Sequence, residues 1–286
     1  MPTIIAPVVS AVRLSTDGPA LSAIVAGVWR MASWSMDVQQ RVRWIEECLA
    51  LGITSFDHAD NYGDYQVESL FGDALGVAPG LRARMQIVSK CGIKLVSAHR
   101  PAHAIQSYDT TRAHVTASVH HSLAALRTDH LDLLLIHRPD FLMDPDELAA
   151  TFAELRASGK VRHFGVSNHT PSQLALLHRR APLATNQIEL SPLHLAPLGD
   201  GTLDQCIDLG IRPMIWSPLA GGRLFTSDDE RARRVRAVLG RLGEAHDVSP
   251  ATAAYAWLLR HPSRPVPITG SHRVEALREA VVALDL

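Results

Sequence analysis

Four side chains with acid–base or hydrogen-bonding chemistry recur where short apolar runs of this sequence stop. Asp57 and Tyr62 stand five residues apart in "ITSFDHADNYGDY" (53–65). Lys90 ends "MQIVSK" (85–90), and His137 ends "LDLLLIH" (131–137). Each has an ordinary explanation on its own. The aspartate can cap a loop, the lysine can extend its stem to water, the histidine can sit hydrogen-bonded in a core, and the tyrosine can anchor a loop. Together they form a chemical set. A free phenol has a pKa of about 10, too high for ready proton donation near neutrality. A lysine ammonium beside it favours phenolate and lowers that value, and an aspartate keeps the ammonium charged in a partly desolvated site. A histidine orients a substrate oxygen by hydrogen bonding. The product is a phenolic acid able to protonate a carbonyl oxygen while another group attacks the carbon, with no metal required. His58, Asp60 and Asn61 read as turn-forming and rim residues.

Eight short apolar runs would have to position this set: 23–29, 54–58, 85–90, 131–137, 161–167, 184–190, 212–217 and 265–269. They are continuous rather than alternating, which predicts parallel strands covered on both faces. Apolar residues at three- and four-residue spacing predict helices over 38–51, 66–76, 111–126, 145–158, 171–179, 202–209, 230–246, 250–260 and 272–283. "DPDE" (144–147), "TPSQ" (170–173) and "SPAT" (249–252) each place proline just inside an N-cap. The start, "SAVRLSTDGPALSAIVAG", predicts a short hairpin running into the first strand. Strands alternating with helices, without a composition shift or linker, predict one α/β domain over 1–286, a (β/α)8 TIM barrel with an N-terminal β-hairpin. A doubly wound sheet is the runner-up, weakened by the lack of any G-x-G-x-x-G after a strand. In a barrel the active site gathers where strands end, and here those ends carry Gly27, Trp29, Asp57, Lys90, His137, Ser167, Asn168, Gln187, Trp216, Ser217 and Gly270.

Lys and Arg number 28 against 29 Asp and Glu. No net basic field favours nucleic acid or an anionic membrane, and "ERARRVR" (230–236) reads as a solvated helix face. No apolar run reaches the roughly 18 residues that span a bilayer. Cys48, Cys91 and Cys206 form no C-x-x-C and fit a reducing cytoplasm. The opening "MPTIIAPVVS" lacks a basic flank and makes a poor signal peptide. The 15 histidines raise a metal-dependent hydrolase as a competing class. No H-x-H ends the first strand, however, and His99, His103, His120 and His121 fall in a loop and a helix away from the expected mouth, so no metal is expected.

The ordered segments "FDHADNYG", "VSKCG", "LLLIHRPD", "GKVRHFGVSN", "NQIELSP" and "WSPLAGGRL" resemble successive signatures of the aldo-keto reductases, over essentially the whole chain. The wording is most similar to the bacterial YdhF-type branch. The resemblance implies an NAD(P)H-dependent oxidoreductase that reduces small-molecule aldehydes or ketones, with Tyr62 as general acid, Lys90 and Asp57 tuning it, and His137 positioning the carbonyl. It implies NADPH rather than NADH, held without a Rossmann domain. Gly27, Val28 and Trp29 would border the cofactor. Ser167, Asn168 and Gln187 match positions that hold the carboxamide, and Trp216 the ring stacked on the nicotinamide. The loop Ser217, Pro218, Leu219, Gly221, Gly222 and Arg223 would fold over the pyrophosphate. Gly270, Ser271 and Arg273 would grip the 2'-phosphate, and Glu279 would face the adenine. Apart from the resemblance, Trp29, Trp34, Tyr62, Phe141 and Met143 are candidates for an apolar wall near the nicotinamide, meeting the substrate with His137; for Trp34 and Met143 plain loop packing is the equal alternative. Where many members carry an arginine and a Glu-Asn pair in the last helix, Ala276, Glu279 and Ala280 stand here. Arg138 replaces a common aromatic residue. A monomer is expected, with no nucleic-acid or membrane partner. A regulatory subunit of the same fold, binding cofactor with little turnover, is the alternative.

Overall fold

The computed structural model describes residues 9–286. The leader-peptide reading of the first residues therefore lies outside the described residues, as do residues 1–8 of the expected domain. Eight strands close into a parallel barrel: β1 (Val25–Gly27), β2 (Ser55–Asp57), β3 (Gln86–Cys91), β4 (Leu131–Ile136), β5 (Val161–Ser167), β6 (Asn186–Glu189), β7 (Met214–Trp216) and β8 (Val266–Thr269). Each pairs with its neighbours in sequence, and β8 pairs with β1 through Ile268 opposite Val25. All eight expected runs are strands, shorter than or within a residue of their predicted limits.

The nine expected helices form with ends within two residues: α1 (Val38–Ala50), α2 (Val67–Val77), α3 (Arg112–Leu126), α4 (Pro145–Ala157), α5 (Pro171–His178), α6 (Thr202–Asp208), α7 (Glu230–His246), α8 (Pro250–Leu259) and α9 (Val274–Val282). Their starts are chemical. Asp37 and Gln40 form a capping box at α1, as do Thr170 and Gln173 at α5. Asp144 and Ser249 accept backbone N–H groups at α4 and α8, with proline next in the chain. Such a cap contributes about 1 kcal/mol and fixes where the helix begins.

Side chains alternate across a strand, so every second residue faces the barrel interior. The lower interior is apolar: Val25, Val88, Leu133, Leu135, Met214 and Val266 pack in one cluster. Leu14 and Leu21 complete it from below, on either side of the expected hairpin, whose strands Ala11–Arg13 and Ala20–Ser22 pair antiparallel. A larger apolar layer fills the space between barrel and helices. Two steps of the same alternation carry the inward face upward, from Val88 to Lys90 and from Leu135 to His137. The polar residues therefore collect at the mouth because the period of two leaves them no other side. A two-residue ladder, Ile93–Lys94 with Ser107–Tyr108, braces the long loop after β3.

Helix α2 approaches the end of α3 so closely that a methyl group at Gly72 would overlap the Ala125 carbonyl oxygen. A backbone atom at a helix end cannot swing aside. Gly72→Ala is expected to cost about 1–3 kcal/mol in urea unfolding. Gly80→Ala, which meets nothing within 4 Å, serves as the control and is expected to be neutral or slightly stabilising.

Candidate active site

The mouth of the barrel opens into a cleft of about 660 Å³. At its floor is one buried ion pair. Lys90 Nζ lies 2.7 Å from Asp57 Oδ2, with the two side chains 1% and 5% exposed. The ammonium has three hydrogens and finds three acceptors: Asp57, the His58 carbonyl at 2.7 Å and the Tyr62 hydroxyl at 3.0 Å. Because an ammonium can only donate, the Tyr62 oxygen is the acceptor in that contact. The phenolic hydrogen is left to point elsewhere, and Tyr62 lines the cleft. The other oxygen of Asp57 accepts from Gln187 Nε2 at 2.8 Å, tying β2 to β6 across the barrel.

Burial opposes the charge on Lys90, and Asp57 and Tyr62 together more than offset it, so the ammonium is held above its ordinary value. Tyr62 departs from the simple expectation. Burial raises its pKa above 10.0; Lys90 pulls it down, but not below that value. The lysine acts in the expected direction and desolvation is the larger effect. His137 lines the cleft beside the phenol, their ring centres 5.7 Å apart. Burial, then the charges of Lys90 and Arg138, hold its pKa well below 6.5, so the ring is neutral. Its Nδ1 is buried without a hydrogen-bond partner. The arrangement is thus a protonated phenol and a neutral imidazole side by side over a buried, fully satisfied cation.

A second string of contacts runs along the opposite wall. Ser167 Oγ donates to the Gln187 carbonyl at 2.8 Å, Asn168 Nδ2 donates to Ser167 Oγ at 2.8 Å, and Trp216 Nε1 donates to Asn168 Oδ1 at 3.0 Å. Asn168 and Ser217 adopt φ of 58° and 51°, left-handed conformations that non-glycine residues hold only when their surroundings require it. Beyond Trp216 the cleft continues along Ser217, Pro218, Leu219, Gly221 and Gly222 to Gly270, Ser271 and Arg273. Gly221 and Gly222 have φ of 67° and 100°, which keeps backbone N–H groups free of a side chain there. One elongated cleft thus runs from carboxamide and indole groups, past a glycine turn, to an exposed arginine. That donor set fits a dinucleotide: polar groups at one end, a phosphate-compatible turn in the middle, a guanidinium at the other.

Several expected residues lie elsewhere. Trp34 does not wall the cleft; it packs toward Trp44 at 5.1 Å and joins the core. Phe141 is 86% exposed at a loop tip, outside the cleft, and Met143 packs on the core. Val28 is buried beneath the mouth, its N–H donating to the Asp57 carbonyl at 3.1 Å. Arg223 turns back to the Ala220 carbonyl at 3.4 Å, and Glu279 stands off the cleft while Ala276 lines it. His58 and Asp60 are not rim residues. His58 is fully buried against Phe71, and burial followed by the Lys90 charge lowers its pKa to about 3. Asp60 is buried near Glu68, and burial raises its pKa well above the usual carboxylate value. Asn61 does line the cleft, as expected of a rim residue, and so do Arg30 and Leu95. Adjacency to Tyr62 and Trp29 signals the first two; Leu95 has no sequence signal, because only the braced loop after β3 brings it back.

Among the described residues no three His, Cys, Asp or Glu side chains converge to hold a metal ion. None of their helices is long and apolar enough to cross a membrane.

A model of the aldo/keto reductase family matches residues 23–286. The chain is 52% identical to the oxidoreductase YdhF of Escherichia coli (strain K12), over 97% of this chain and 93% of that protein. It is 42% identical to a 6-dehydroglucose reductase of Agrobacterium fabrum, over 94% and 91% respectively. Among solved structures, a thermostable aldo-keto reductase, Tm1743, in complex with the inhibitor epalrestat superimposes with a TM-score of 0.81 at 27% identity. The match covers 97% of this chain and 94% of that one.

The ion pair itself generates a stability prediction. In Asp57→Asn the remaining carbonyl oxygen can still accept from Gln187, but an amide NH2 would then face the Lys90 ammonium. A buried cation left uncompensated costs about 3–5 kcal/mol. Urea unfolding of Asp57→Asn is expected to show a loss of that size at neutral pH.

Proposed function

The chain belongs to the aldo/keto reductase family and is an NAD(P)H-dependent oxidoreductase, and on that premise we propose that it reduces aldehyde or ketone carbonyls to alcohols with NADPH. The observation that carries the reading is the Tyr62 hydroxyl, which accepts from buried Lys90 at 3.0 Å while lining the cleft beside His137. Tyr62 is the general acid. Lys90, kept charged by Asp57, stabilises the phenolate left behind after proton transfer. His137, neutral and facing the cleft, donates a ring N–H to the carbonyl oxygen and orients it. When bound, the reduced nicotinamide supplies a hydride to the carbonyl carbon.

Ser167, Asn168 and Gln187 would hold the carboxamide, and Trp216, pinned by Asn168, would offer its face to the nicotinamide ring. The turn Ser217–Gly222 would take the pyrophosphate. Ser271 and Arg273 would take the 2'-phosphate, arginine matching phosphate by paired N–H donors. The substrates are small carbonyl compounds, and the 6-dehydroglucose named for one relative is of that class. Cys48, Cys91 and Cys206 are free and buried, which supports a reducing, cytoplasmic setting. The protein would act as a single-domain monomer.

Tyr62→Phe is expected to lower kcat for reduction by about 10²–10⁴-fold while the Kd for NADPH, read by fluorescence, stays within about twofold. Full turnover in that variant would overturn the mechanism. Unaltered protein that binds NADPH but turns over no member of a broad carbonyl panel would favour a regulatory role.

The pH dependence follows from the raised Tyr62 pKa. The protonated form persists below that pKa and is lost above it, so reduction is expected to hold level through neutrality and decline only above about pH 10. Alcohol oxidation needs the phenolate and is expected to rise over the same alkaline range. Arg273→Ala is expected to raise KM for NADPH by about tenfold or more, with KM for NADH little changed in parallel assays.

A further inference from the structure

The reaction end of the cleft carries a charge that the proton-transfer chemistry does not use. Arg138 directly follows His137 at the top of β4 and lines the cleft with Tyr62, Asn61 and Leu95. It is half-buried, and its guanidinium carbon lies 5.9 Å from the centre of the Trp216 ring. Among the described residues it has neither an ion pair nor a hydrogen bond. The acids nearby are engaged elsewhere. Asp57 is held by Lys90 and Gln187. Asp140, two residues on, accepts from the Thr110 backbone and hydroxyl and from the Leu142 N–H.

The charge count at this end is therefore one-sided. Lys90 and Asp57 cancel, and His137 is neutral. Arg138 supplies a net positive charge close enough to lower the Tyr62 pKa and the His137 pKa. The other two arginines of the cleft have contacts of their own: Arg30 lies over the Trp29 ring at 5.0 Å and donates to the Gly221 carbonyl at 3.3 Å, beside the glycine turn, and Arg273 stands with Ser271 at the far end. A guanidinium cannot discharge by losing its proton. Held in a partly desolvated cleft with the Trp216 ring beside it but no acceptor or counter-charge, it selects for an anion that arrives with the ligand. Trp29, Leu95 and Trp216, which line the cleft with it, bring no side-chain acceptor: their only polar side-chain atoms are two indole N–H groups, which donate.

We propose that Arg138 is a substrate-recognition residue, and that the preferred substrates are carbonyl compounds carrying an anionic oxygen group, a carboxylate or a phosphate, a few bonds from the carbonyl. This rests on the reductase reading above. The carbonyl oxygen meets Tyr62 and His137, the chain between lies along Trp29 and Leu95, and the anion forms charge-assisted, two-pronged hydrogen bonds to Arg138.

The test is steady-state kcat/KM with NADPH for two matched pairs: 4-oxobutanoate against pentanal, and glyceraldehyde 3-phosphate against glyceraldehyde. The unaltered protein is expected to favour at least one anionic member by about tenfold to a hundredfold, expressed mainly in KM. Which pair shows the preference tells carboxylate from phosphate. Arg138→Met is expected to bring that ratio to about one, and Arg138→Lys to restore part of it, since a point charge keeps the attraction and loses the fork. Equal rates within both pairs, a preference for the neutral members, or a ratio that survives in Arg138→Met would overturn the proposal. So would an Arg138→Met variant whose only change is a raised Kd for NADPH, which would assign the residue to the cofactor. If no member of either pair is turned over while NADPH still binds, the reductase reading falls, and this proposal with it.

Discussion

A lysine ammonium buried inside the barrel is the constraint on which the rest of the site depends. At 1% exposure such a charge is tolerated only when its hydrogens are all accepted and a counter-charge is in contact. The fold supplies Asp57 from β2, the His58 carbonyl from the turn that follows, and the Tyr62 hydroxyl from just beyond. All three lie within six residues of chain, so one strand end and its turn satisfy a cation delivered by the next strand. The geometry that lets the cation be buried also fixes the phenol, because Tyr62 is one of the three acceptors. Stability and reactivity of the mouth rest on the same contacts.

The surroundings of that ion pair keep it from being undermined. Behind it, on the outward face of β3, Ser89 donates to Glu68 of α2 at 2.5 Å, and burial raises the Glu68 pKa to about 7. Asp60 lies near, and burial raises its pKa well above the usual carboxylate value too. These acids are inclined to hold their protons, so the charge facing Lys90 is chiefly that of Asp57. On the inner side Gln187 occupies the second oxygen of Asp57, which leaves the carboxylate no freedom to rotate away. In front, His137 is kept neutral by burial and by the same cation. Burial thus sets the protonation of these neighbours, and the fixed charge of Lys90 adds to it at His58 and His137 and opposes it at Tyr62 and Glu68.

The barrel's contribution is register. Parallel strands in consecutive order place their ends on one rim, and the alternation of side chains points every second residue inward. Lys90 and His137 reach the mouth because they stand two residues above Val88 and Leu135 of the apolar interior. A one-residue slip in either strand would turn them into the helix layer. The left-handed conformations of Asn168 and Ser217 occur as β5 and β7 give way to the loops that shape the cleft, where the chain must change direction abruptly.

Much of this was written in the order of residues. Continuous apolar runs, proline-marked caps and the polar residue at each run's end determined the strands, the helices and the set Asp57, Tyr62, Lys90 and His137, because hydrophobic period and capping are local properties that short stretches of chain carry by themselves. What only the tertiary structure decided concerns burial and distance. It put His58 and Asp60 behind the barrel rather than on its rim, because their solvent exposure depends on α2 and α3 packing over them. It took Trp34 into the core and left Phe141 in solvent, since nothing in an aromatic residue's neighbours tells which surface its loop will meet. It brought Leu95 into the cleft through a ladder that closes 15 residues on. It also set the net direction of the Tyr62 pKa. The sequence names the lysine that lowers it, but the larger opposing effect is desolvation, which exists only once the chain has closed around the phenol.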